Sequence, residues 1–133
     1  MSLAAQILDQ PSLLSGCRRT VHNLLEPDVR ACFWHNYPGR EKDGVCAYDV
    51  APIMQGLKVM YEVTGAKKYR SLAMDASEWF YGRNDAGVTM YDPARGQCRD
   101  GITHGEASSN YGAESAIEAG FAELDRRELL AET

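Results

Sequence analysis

The chain has 133 residues, with 14 Lys plus Arg against 19 Asp plus Glu and a formal net charge of −5. That length fits one domain, and a composition 44% apolar and 25% charged is that of an ordinary globular protein with one core. The mild acidity speaks against a nucleic-acid surface, which needs a basic stripe, and against attraction to an anionic membrane.

The first helix signal opens at Ser12, a good N-cap after Pro11. Leu14, Cys17, Val21, Leu24 and Leu25 then share one face, and Pro27 is expected to close a helix over 12–25. Residues 26–48 show no period and read as a loop, with Phe33 and Trp34 expected to tuck it onto the core. A second helix is expected over 50–63, with Asp49 as N-cap, Pro52 in the first turn and Gly65 as a left-handed cap. A third follows at once over 67–82, where Tyr69, Leu72, Ala73, Ala76, Trp79 and Phe80 give the strongest helical period in the chain. So short a connection predicts an antiparallel helical hairpin.

Residues 83–111 read as a second long loop, with Gly87–Tyr91 forming a short strand at most. A fourth helix over 112–126 carries Ala113, Ala116, Ile117, Gly120, Phe121 and Leu124 at helical spacing. The predicted architecture is a single domain, 1–133, mainly α and built of helical hairpins with two long irregular loops. No stretch approaches about 18 consecutive apolar residues. Residues 1–9 lack the basic start of a signal peptide, so a cytoplasmic location is expected.

Cys17, Cys32, Cys46 and Cys98 form no CxxC pair and are expected as reduced thiols. Together with His35 and His104 they are too scattered for the tight ligand pairs of a zinc site, so neither a metal nor a cofactor is expected. Nucleotide-binding glycine loops, HExxH, EF-hand and GxSxG motifs are all missing.

The informative stretch runs through Trp79-Phe80-Tyr81-Gly82-Arg83-Asn84-Asp85, then Tyr91-Asp92-Pro93-Ala94-Arg95-Gly96-Gln97-Cys98-Arg99-Asp100-Gly101, then Asn110-Tyr111-Gly112-Ala113-Glu114-Ser115. These ordered blocks resemble the C-terminal part of bacterial α/α-toroid domains of the six-hairpin glycosidase superfamily, which also occur beside glycosyltransferase modules. The resemblance spans about residues 48–124. Two departures stand out: Ala94-Arg95-Gly96-Gln97 replaces x-Thr-Gly-Gly, and Ser108 replaces the first of two asparagines. Neither removes a carboxylate. Four helices match only about a third of a six-hairpin ring. The resemblance therefore implies a partial toroid, whose open end would expose apolar faces and favour self-association or a partner chain.

Glycoside hydrolysis generally uses two carboxyl groups about 5–9.5 Å apart across the scissile bond. Asp100 and Glu114 are the catalytic candidates. Trp34, Tyr37, Asp49, Tyr91, Asp92, Arg99, Asn110 and Tyr111 are candidates for holding a saccharide, the aromatic rings as stacking faces. Each acid also has a structural use: Asp49 as a cap, Asp92 before Pro93 and Asp100 before Gly101 in turns, and Glu114 against the helix dipole with Asn110 as cap. Arg83 and Arg99 are expected to pair with these acids. His104 is a weaker candidate for a general base.

The expected function is saccharide binding or assembly by a partial six-hairpin glycosidase-like module. One alternative is a glycoside hydrolase acting through the paired carboxylates. The other is a non-catalytic helical interaction domain, since a fold resemblance does not fix an activity.

Overall fold

The computed structural model describes residues 10–33 and 44–132. It is mainly helical, with two small antiparallel sheets, most of whose strands fall between the last two helices. Trp34 and Tyr37 lie outside the described residues.

Helix α1 (Pro11–Thr20) does not stop before Pro27. It runs through a π-helical turn at Val21–Leu25 into α2 (Glu26–Arg30). Pro27 lacks the N–H that would reach back one turn, and its ring would meet the carbonyl of Asn23. The wider π turn immediately upstream is a known way for a helix to absorb such a break. N-capping falls to Gln10 rather than Ser12. After α2 the chain turns through Cys32 and Phe33, both at positive φ, and the Phe33 ring is buried as expected.

Strand β1 (Val45–Cys46) leads directly into α3 (Ala47–Thr64). The helix starts three residues before its predicted position. Asp49 is therefore not the N-cap but the third helical residue, reaching back to accept the Cys46 N–H at 2.8 Å. Pro52 consequently sits in the second turn. Gly65 ends the helix at φ +67. After Ala66 comes α4 (Lys67–Ser77), extended by a 3₁₀ turn at Glu78–Phe80.

Helices α3 and α4 form the expected hairpin and the centre of the core. All six predicted apolar positions of the third helix are buried, from Tyr69 to Phe80, and they meet Val50, Met54 and Leu57 of α3. Trp79 and Phe80 pack edge to face, ring centroids 5.1 Å apart. The α2 segment lies against α4 and contributes Val29.

The stretch expected as a loop over 83–111 is folded into short strands. An isolated bridge pairs Tyr81 with Thr89. Strands β2 (Tyr91–Asp92) and β3 (Gln97–Cys98) form one hairpin. Strands β4 (Gly101–Thr103) and β5 (Glu106–Ala107) form a second, turned by His104-Gly105. Strand β4 also pairs with β1, Val45 opposite Ile102, giving the order β1-β4-β5. Gly101 is required there, because a Cβ would stand 2.6 Å from the Val45 carbonyl oxygen. These strands are only two or three residues long, too short to show alternation in the sequence.

Helix α5 (Ala113–Ala131) packs on both α3 and α4. It turns a different face inward from the one its apolar spacing predicts. Ser115, Ala119, Ala122 and Leu129 are buried, while Ile117, Phe121 and Leu124 are 58%, 51% and 57% exposed. Small inward side chains let the helix approach closely, and polar ties fix its rotation. Lys58 of α3 holds Asp125 at 3.1 Å and Glu128 at 2.5 Å, and Arg126 reaches Glu78 at 3.1 Å. The Tyr81 hydroxyl donates to Glu123, and the Arg70 guanidinium donates to the Leu129 carbonyl at 2.6 Å.

Candidate functional site

Two clusters of the candidate residues form at the edge where the small sheets meet the start of α5. The first surrounds Cys46. Its thiol is pushed up from the ordinary range by burial and by the carboxylates of Asp49, Asp100 and Glu114. The Tyr48 hydroxyl is pushed up as well, chiefly by Asp49. The fold thus gathers three acids, widely separated in sequence, at the adjoining N-termini of α3 and α5. An open groove of about 640 Å³ lies beside them, lined by Cys46, Asp100, Thr103, His104 and Glu106 among others.

Within this cluster Asp100 is engaged structurally. Its Oδ1 accepts the Gly112 N–H at 2.6 Å and the Ser115 hydroxyl at 3.1 Å, which makes it the cap of α5 from twelve residues away. A Cβ at residue 112 would stand 2.5 Å from the same oxygen, so Gly112 is matched to the cap. This corrects the expectation that Asn110 caps the helix. Asn110 instead contributes its carbonyl to the Asp100 N–H at 3.1 Å, and its own N–H to the Ser108 hydroxyl. Glu114 stands exposed in the first turn, where a negative charge suits the helix dipole. His104 is an exposed turn residue at φ +53. Among the described residues no three His, Cys, Asp or Glu side chains converge as metal ligands would.

The second cluster is a groove of about 380 Å³ on the β2–β3 hairpin. Tyr91, Asp92, Arg99 and Tyr111 all line it, together with Tyr81 and Arg95. Asp92 Oδ1 accepts the N–H groups of Ala94 at 3.0 Å and Arg95 at 3.3 Å, so the predicted turn role is present. The Arg99 guanidinium donates to the Ser108 carbonyl at 2.7 Å and lies over the Tyr111 ring, 5.1 Å from its centroid. Tyr111 remains 49% exposed. Ser108 therefore supplies the carbonyl and hydroxyl that organise this corner.

Against expectation, Arg83 pairs not with one of the candidate acids but with Asp75 of α4 at 3.1 Å, eight residues back along the chain. Arg99 pairs with no carboxylate among the described residues. Tyr81 and Arg95 belong to the groove but were not singled out by sequence. Tyr81 lies one residue past the end of the third helix's apolar register, and Arg95 occupies a position where the resembled pattern departs.

No family model matches the chain, and no curated protein matches it. Among the described residues no helix is long and apolar enough to cross a membrane.

Proposed function

We propose that this chain is a saccharide-binding module related to part of an α/α toroid, and that sugar is held in the groove of the β2–β3 hairpin. The observation that carries the reading is the convergence of Tyr91, Asp92, Arg99 and Tyr111 on one open depression. Saccharide sites combine a flat aromatic face for the C–H side of a sugar ring with fixed polar groups for its hydroxyls. Tyr111 offers the first, and Arg99 and Asp92 the second. Binding is favoured over hydrolysis because Asp100 is committed to the α5 cap and Glu114 stands open to solvent. The free state of Cys17, Cys32, Cys46 and Cys98 supports a cytoplasmic location.

A second reading concerns assembly. The exposed Ile117, Phe121 and Leu124, with Pro93 and Gly120 beside them, line a shallow groove of about 400 Å³ on the outer face of α5. In a toroid such a face is covered by the next helical hairpin. We assign that role here to a second copy of the chain.

A thermal-shift screen against neutral and charged oligosaccharides tests the first reading, with Y111A as the comparison. A ligand at about 100 times its dissociation constant adds about 2.7 kcal/mol to folded-state stability. The expected result is a rise in melting temperature that Y111A loses. No rise with any saccharide overturns the reading.

A further inference from the structure

The groove at Tyr111 is positively charged in a protein whose net charge is −5. Arg95 and Arg99 line it, and Asp92 is the one acid among its described lining residues. Asp92 does not neutralise Arg99: one oxygen takes two backbone N–H groups, and the other faces Arg95 Nε at 3.6 Å.

Of the two groove cations, Arg95 faces Asp92 and Arg99 has no carboxylate partner among the described residues. A guanidinium carries five N–H donors in a fixed planar fork. One donates to the Ser108 carbonyl, and no carboxylate takes the others among the described residues. By contrast Arg83, Arg126 and Arg127 each hold a carboxylate, on Asp75, Glu78 and Glu123. Arg99 is nevertheless held in place, half-buried, between the Ser108 carbonyl and the Tyr111 ring. A cation that is oriented but unpaired, at the wall of an open groove, is arranged for an anionic group that arrives from outside. A carboxylate fits the planar fork with two parallel hydrogen bonds.

We infer that the groove selects an acidic saccharide, a hexuronate unit whose carboxylate sits on Arg99 while a sugar ring lies against Tyr111. The inference rests on the saccharide reading above and narrows it to a substrate class.

The test is titration calorimetry of the full chain with a short oligogalacturonate and with a neutral oligosaccharide of equal length. The uronate is expected to bind about tenfold tighter or more, the difference one charge-assisted pair confers. R99Q should abolish that preference, so that the uronate and the neutral oligosaccharide bind the variant alike. R99K should recover only part of it, since an ammonium lacks the fork. Y111A, at an exposed position that leaves the fold intact, should weaken both ligands. Equal binding of the two saccharides, or an R99Q variant that keeps the preference, overturns the acidic-sugar inference while the saccharide reading stands. Displacement of the uronate by inorganic phosphate at equal concentration also overturns it, because the anion alone would then account for binding. Binding of neither saccharide overturns both.

Discussion

Asp100 Oδ1 takes the Gly112 N–H and the Ser115 hydroxyl, so its loss strips the first turn of α5 of a charged acceptor. D100A is expected to cost about 1–2 kcal/mol, the upper part of the range for cap removal, and D100N less because an amide oxygen still accepts. Urea unfolding of the two variants checks the order. Cys98, two residues earlier, is fully buried and its thiol donates to the Arg99 carbonyl at 3.3 Å. Burial, aided by the Asp100 charge, pushes the thiol from 9.0 up to about 12. The folded state therefore holds this proton more tightly than the unfolded state. Its stabilisation is complete below pH 9 and is lost as the pH rises toward 12. Urea midpoints at pH 8 and about 10.5 should fall further for the wild type than for C98A. The sequence made Asp100 conspicuous by its place before Gly101 in an acid-rich block. It did not reveal the partner, because a cap reaching across twelve residues leaves no local pattern.

At the scale of the elements, legibility followed the size of the inward side chains. The third helix was read correctly because Tyr69, Leu72, Trp79 and Phe80 are both large and buried. The first helix kept part of its face, with Cys17 and Val21 buried and Leu24 exposed, but not its end, since a π turn upstream of Pro27 has no composition of its own. The fourth helix was read the wrong way round. Its large side chains, Ile117, Phe121 and Leu124, point out, and alanines point in. Periodicity weights bulk, whereas close helix approach selects smallness. Glycine at 56 in α3 offers a direct test of element stability. It is exposed, and nothing lies within 4 Å of where its Cβ would be. G56A should therefore stabilise the chain by about 0.5–1 kcal/mol through helix propensity and unfolded-state entropy, seen as a higher melting temperature.

For the whole molecule, the two sides of α5 make opposite predictions. L129A removes a fully buried side chain and should cost about 2–5 kcal/mol. F121E alters the exposed face and should change the stability of a dilute monomer by no more than about 0.5 kcal/mol. If a second copy covers that face, F121E should instead abolish the concentration dependence of mass measured by light scattering. A result with the magnitudes exchanged would mean that α5 sits the other way round. The mainly helical class was legible because each of the four predicted segments does form helix. The meeting of the Tyr91 and Tyr111 corners was not, because the hairpins that bring them together are two residues deep.

The bond from Asp100 to Gly112 has a further consequence for how the molecule opens. The first turn of a terminal helix is ordinarily where thermal fraying begins, and short surface hairpins ordinarily breathe on their own. Here each is closed by the other. The ring of chain from 100 to 112 encloses β4 and β5, and β4 is stitched to the strand that launches α3. Opening the hairpin by way of this latch releases the start of α5, and unwinding α5 from its beginning releases the hairpin. Two segments that would otherwise exchange their amide hydrogens independently are thereby joined into one cooperative unit.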